Sequence, residues 1–280
     1  ATTLIETDAA ASITTSAAAD SGATSGSIDI NTSGTGTIAL SGDLESAGAD
    51  SSATAASTGG AVTIATNDGT VSVSGIDVSG GVGTGQDGGS AGTLSIDAGG
   101  ANGITLNGDL VADGGAGNTA GDGATVTLND AVELATGAIA ISTTGNTAGN
   151  IVFNSTVDSA TNEDLTLTAG GGSVTFGDAV GNTNALGAIQ INSALNVTSV
   201  GTTIDAGSLT QVAGTGETNL GELTLTDAAT GLTLNTATID LDGAITTAGG
   251  AVDLDATTLI ETDAAASITT SAAADSGATS

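Results

Sequence analysis

Apolar and polar positions alternate in short runs along the whole chain. Ile28 and Ile30 flank Asp29, Leu94 and Ile96 flank Ser95, and Ile239 and Leu241 flank Asp240. A period of two sets aliphatic side chains on one face of an extended segment and Ser, Thr or Asp on the other. No run keeps a helical period, and 45 glycines with abundant β-branched residues oppose helix. The pattern therefore predicts short β-strands joined by tight corners. The Ala-rich piece Ser52–Ser57 is expected to be a loop bulging from a corner, not a helix.

The runs recur. Gly26 opens GSIDIN, Gly60 GAVTIA, Gly92 GTLSID, Gly123 GATVTL and Gly149 GNIVFN, and the runs from Ser173, Glu222 and Ala251 share the pattern. Each is followed by similar runs, such as those starting at Thr37, Thr70 and Gly103, in which Gly42, Gly75 and Gly108 align at an even spacing. Several short strands per repeat of about 20 to 35 residues point to stacked coils. No coil can bury its own inward aliphatics, but a stack of coils can. The predicted fold is all-β, a parallel β-helix (β-solenoid) with short strands and loop insertions at corners. Its main rival, a Greek-key sandwich, would be expected to show longer strands and buried aromatics.

A second repeat is exact in sequence. Ala1–Ser25 recurs letter for letter as Ala256–Ser280. The expected organisation is one continuous solenoid over residues 1–280, with 1–255 as one tandem unit and 256–280 as the start of the next. At about 4.8 Å per rung, about ten to twelve coils would make a unit about 50–60 Å long. The start in mid-pattern at Ala1, without Met, predicts an internal stretch of a longer chain.

Asn31, Asn107, Asn129, Asn154, Asn192 and Asn235 each follow an apolar-x-apolar run. Asn tolerates a left-handed bend, and stacked Asn side chains can bond one another, so an Asn ladder at the corners is one expectation and plain turn preference the other.

Composition narrows the function. The chain has no Lys, Arg, His, Cys, Met, Pro, Trp or Tyr and only two Phe, with 31 acidic residues and a net charge of −31. No intramolecular ion pair with Lys or Arg can form, and nucleic acid and anionic membranes would repel such a surface. The mean hydropathy of +0.28 argues against disorder despite the charge. Apolar stretches are too short and broken to insert in a membrane.

The G-x-[VIL]-x-[VIL]-[ND] runs and Gly/Ser/Thr/Asp-rich loops resemble the β-strand-repeat regions of giant bacterial cell-surface adhesins akin to filamentous haemagglutinin. The resemblance covers the whole chain and is one of composition and period. It implies a right-handed parallel β-helix in a long exported fibre, and it carries no functional residues to transfer.

Candidate chemistry is sparse. Solenoid lyases rely on Arg or Lys bases, which are absent. Outward carboxylate pairs such as Asp240/Asp242 and Asp253/Asp255 could in principle hydrolyse a glycoside, but no Trp or Tyr is present to hold a sugar. No catalytic, cofactor-binding or metal-ligating residue is assigned, and the chain is expected not to be an enzyme. Ca²⁺ is the one candidate ion, because Asp/Gly loops suit it and stacked Asp residues repel one another. The loop Gly80–Asp87 approaches a calcium-binding nonapeptide but carries Gly85 where Asp is required, and Gly114–Thr119 departs at the same place with Thr119. Solvated carboxylates with loosely held cations are the expected state. Asn31-Thr32-Ser33, Asn154-Ser155-Thr156 and Asn196-Val197-Thr198 match the N-glycosylation pattern, as chance allows in such a composition. Thr224-Leu225-Thr226 resembles a fragment of an ice-binding threonine array without its repetition. The expected role is a structural stalk or filament segment at the cell surface, related to adhesion or matrix. Its expected partners are adjacent copies of the unit, with neighbouring fibres and divalent cations as further candidates. A self-assembling sheath, or a module that binds Ca²⁺ or glycans, is the alternative.

Overall fold

In the computed structural model, which describes residues 4–8, 11–99, 103–264 and 266–271, the alternating runs become 25 strands, and no helix occurs among the described residues. Parts of the two identical end segments lie outside that range. The strand pairings are parallel throughout. A parallel partner cannot be reached by a hairpin, so each strand pairs with one a full coil away. The fold is a parallel β-solenoid.

Three ladders of inward residues define three faces. The first runs Ile5, Ile38, Val71, Ile104, Val132, Val157, Val180, Ile204, Leu223, Ile245, Ile268. The second runs Ile13, Leu44, Ile76, Leu110, Ile141, Leu167, Ile191, Gln211, Leu234, Leu254. The third runs Ile28, Val62, Leu94, Val126, Ile151, Val174, Val197, Thr218, Ile239, Ile260. Toward the C-terminal end the strands round the corners without a break, as in Val197–Gln211, Gly231–Leu241 and Ala251–Thr262. Adjacent faces there merge into one hydrogen-bonded sheet.

The interior is one cluster of Ile, Leu, Val and Ala with the two phenylalanines. At roughly 25 cal/mol per Å² of apolar surface removed from water, this continuous file carries the fold without other aromatics. Gln211 and Thr218 interrupt the aliphatics at neighbouring positions, and the Thr218 hydroxyl donates to Gln211 Oε1 at 2.6 Å. The Gln211 Nε2 has no partner, though it is buried.

Coil length falls along the chain. Ile5, Ile38, Val71 and Ile104 follow one another at an even interval, whereas Leu223 follows Ile204 after little more than half of it. The difference sits at the corner between the second and third faces. Residues 47–60, 79–92 and 112–124 bulge there and stack into a fin. Within it a line of hydrogen bonds runs along the axis: Ser57 N–H to Ala49 O, Gly81 to Ser57, Gly89 to Gly81, Gly115 to Gly89, Gly121 to Gly115 and Asn146 to Gly121. The layers approach so closely that only glycine fits. A Cβ on Gly115 would lie 1.8 Å from Gly81 O, and one on Gly121 would lie 1.8 Å from Gly89 O. The Ser52–Ser57 segment belongs to this fin and is not helical.

Two expectations are corrected. From Ile5 to Ile260, its counterpart in the second copy, the chain takes 29 ladder steps, or nine and two-thirds three-sided coils. This is below the ten to twelve expected, because the fin lengthens the first coils, and the axial rise is about 46 Å per unit. Nor do the asparagines make left-handed bends: Asn107, Asn129 and Asn154 do sit in corners between strands, but none has positive φ. Asn107, Asn129 and Asn154 donate their N–H groups to Val73, Ile96 and Leu128 in the preceding coil, continuing the ladder, and Asn31, Asn192 and Asn235 lie inside strands. Among the described non-glycine residues only Asp20 and Asn162 have positive φ. The Asn ladder is a single step, Asn154 Nδ2 to Asn129 Oδ1 at 2.9 Å.

Candidate functional site

With no cationic side chain available, a carboxylate in this fold finds its partners in backbone N–H groups, both at corners and within strands. Asp43 Oδ1 accepts from Gly75 N at 3.0 Å, Asp50 from Val82 N at 2.7 Å and Asp87 from Thr119 N at 3.0 Å. Asp109 accepts from Ala140 N at 2.8 Å, Asp158 from Thr183 N at 2.7 Å and Asp164 from Ala188 N at 2.7 Å. In each case the acceptor belongs to one coil and the donor to the next coil along the chain. Asp113 Oδ1 takes three donors from its neighbour: Thr144 N, Thr144 Oγ1 and Ser142 Oγ. Asp20 Oδ1 likewise takes Ser52 N, Ala53 N and Ser51 Oγ.

These bonds favour the charged form. The Ser52 N–H, with Ser51 and Ala53, holds Asp20 below its ordinary range, and the Thr147 N–H with Asn146 does the same for Asp122. Glu163 is the strongest case. Thr161 donates to it through both hydroxyl and N–H, Ser159 Oγ adds a third bond at 2.8 Å, and its pKa falls to about 2. This knot closes the turn around Asn162, whose φ of 70° is left-handed.

At two places the balance reverses. Burial and the neighbouring Asp130 push Asp97 up. Asp130 is the exception in polarity, reaching back to Ala98 N at 2.7 Å in the preceding coil. Burial, then Asp242, Glu261, Asp263 and Glu217, pushes Asp240 up. Asp240 stands in register with Asn219 on one side and Glu261 on the other, and Asn219 Nδ2 donates to it at 2.9 Å. A shallow groove beside this cluster crosses the corner between the third and first faces, lined by Gly201, Gly221, Gly243, Glu222, Asp242 and Asp263.

Asp253 and Asp255 point outward and stand in register with Thr233 and Asn235. The Gly80–Asp87 and Gly114–Thr119 loops pack on each other in the fin: Asn118 Nδ2 donates to Gly85 O, and Asp87 holds Thr119 N. Among the described residues no group of three or more acidic side chains is placed to hold a metal ion. Of the glycosylation matches, Asn154 bonds Asn129, Asn196 Oδ1 accepts Glu217 N at 2.8 Å, and Asn31 bonds Asp29. Thr224 is in register with Asp205 and Thr246, and Thr246 with Thr269, so that threonine file is three rungs deep.

The corner carboxylates are the residues that sequence reasoning missed, since it took outward Asp residues as solvated charges. A signal existed: Gly-Asp-Leu recurs at 42–44 and 108–110, and both aspartates clamp the following coil. Chemically, the arrangement fixes one coil to the next. Among the described residues no helix is long and apolar enough to cross a membrane. No protein-family model, curated protein or solved structure matches the chain.

Proposed function

We propose that the chain is a length of stiff, non-enzymatic stalk or filament from a repetitive extracellular protein of the cell surface, related to adhesion or matrix. The observation that carries this reading is the continuity of the three inward ladders from first coil to last, combined with the identical segments at the two ends of the sequence. A fold that stacks on itself through a repeated sequence lengthens by adding units. The corner aspartates support the same role, because they spend their hydrogen-bonding capacity on coil-to-coil contacts. Absence of Lys, Arg, Trp and Tyr removes the preferred sites of trypsin-like and most chymotrypsin-like proteases, as suits an exported stalk. The likeness of the strand runs to adhesin repeats points the same way.

Electron microscopy of chains carrying one, two and three copies of residues 1–255 tests the reading. Single rods, each longer by about 46 Å per copy, are expected. Globular particles would overturn it, and ordered lateral bundles would favour a self-assembling sheath instead.

A further inference from the structure

The identical segments at the two ends of the sequence do not occupy the same face. In the first, Leu4–Thr7 lies on the first face, where Ile5 pairs with Ile38. In the second, the same residues are Leu259–Thr262 and lie on the third face, where Ile260 pairs with Ile239. The next strand shifts in step: Ile13 pairs with Leu44 on the second face, while its counterpart Ile268 pairs with Ile245 on the first. The same hydrogen bond spans the corner between them in both settings. Ala11 N donates to Asp8 O at 2.8 Å between the first and second faces, and Ala266 N to Asp263 O at 2.9 Å between the third and first. One sequence thus makes the same hydrogen bond at two different corners.

On the reading of the chain as part of a tandem array, we infer that successive copies of the unit dock with a rotation of one third of a turn. The 29 ladder steps per copy are not a multiple of three, so the first face of one copy continues the third face of the copy before it. The contact surface is the terminal coil, where Leu259 and Ile260 are each 45% exposed and Ile268 is 49% exposed. Its occupant is the coil that follows the same residues elsewhere: Ile38 covers Ile5, and Leu44 covers Ile13. The glycine fin then points in a new direction in each copy and returns to its first azimuth after three copies, or about 140 Å. Such a fibre has no unique side. A neighbouring fibre or surface meets a fin from any approach, whereas a fibre repeating in phase would present its fins along one edge only.

The docking can be read in the 280-residue chain, which has no native Cys. Asp240 and Glu261 are register partners on the third face, so D240C/E261C is expected to oxidise to an intramolecular disulfide. In-phase docking would instead bring Ile260 onto Ile245 and favour T246C/E261C. The pair S72C/T105C, in register on the neighbouring strands Val71–Val73 and Ile104–Leu106, is the positive control. The inference predicts a D240C/E261C yield within twofold of the control and a T246C/E261C yield at least tenfold lower. Equal or reversed yields, or failure of both pairs while the control closes, would overturn it. Either result leaves the rod reading to its own microscopy test, because rods can grow in phase or rotated.

Discussion

Phe153 and Phe176 stack with ring centroids 5.4 Å apart and planes within 8° of parallel, on consecutive coils of the third face. Parallel in-register stacking sets identical side chains one above another, and an offset stack is a favourable geometry for aromatic rings. Phe153 is fully buried between Leu128 and Phe176. Phe153→Ala is expected to cost about 3–5 kcal/mol and Phe176→Leu about 1 kcal/mol in denaturant unfolding. Equal, small losses for both would mean that the rings are not core.

The glycine fin yields a sharper contrast. Gly115→Ala would drive a methyl group into Gly81 O and is expected to lower the melting midpoint markedly. Gly171 has open space around its Cβ position and no positive φ, so Gly171→Ala is expected to be neutral or to stabilise by about 0.4–1 kcal/mol. Thermal melts followed by circular dichroism check both, and a harmless Gly115→Ala would contradict the close packing.

Acid should act through two opposed groups of carboxylates. Glu163, lowered to about 2 by Thr161 and Ser159, contributes stability that is complete above its unfolded value near 4.5 and fades as the pH falls toward 2. Glu163→Gln should therefore lower the midpoint at pH 7, with the difference closing between pH 4.5 and 2. Asp240 is raised by burial and its acidic neighbours, so its charge opposes folding above its folded pKa and the penalty lifts on protonation. Asp240→Asn should raise the midpoint at pH 7 and lose that advantage in acid. Parallel pH profiles for the two variants would contradict the assignment.

The charge of −31 should make stability depend on ionic strength rather than on a particular cation. Rungs about 4.8 Å apart lie within the ~8 Å Debye length of 0.15 M salt, so repulsion along the stack is only partly screened there. NaCl and CaCl₂ at matched ionic strength are expected to raise the melting midpoint by similar amounts, and EGTA to leave it unchanged. A rise specific to millimolar Ca²⁺ would show a calcium site.

Strands and core were legible in the sequence because both depend on a period of two that each run displays on its own. Ile28, Ile38 and Leu94 could be placed inward from their neighbours alone. The even spacing of Gly42, Gly75 and Gly108 correctly gave the length of the first coils. The corner clamps were hidden because Asp43 and Gly75 are 32 residues apart and nothing local distinguishes an anchored Asp from a solvated one. The one-third rotation was hidden for another reason. The exact repeat is visible, but its phase depends on how many strands fill it, and loops as long as the fin cannot be counted as coils or corners without the register. The asparagines misled in part: Asn107, Asn129 and Asn154 do lie at corners, but without a left-handed bend, because the residue after an apolar-x-apolar run still donates its N–H to the preceding coil.

Methyl NMR on Ile/Leu/Val-labelled chain reads out the three parallel ladders, in which each inward residue contacts its counterpart one coil away. Cross-peaks are predicted between Ile38 and Val71, Val71 and Ile104, and Ile104 and Val132, with matching series along the other two faces. Cross-peaks that instead join sequential runs such as Ile38 and Leu44 in antiparallel register, with none between residues a coil apart, would contradict the solenoid.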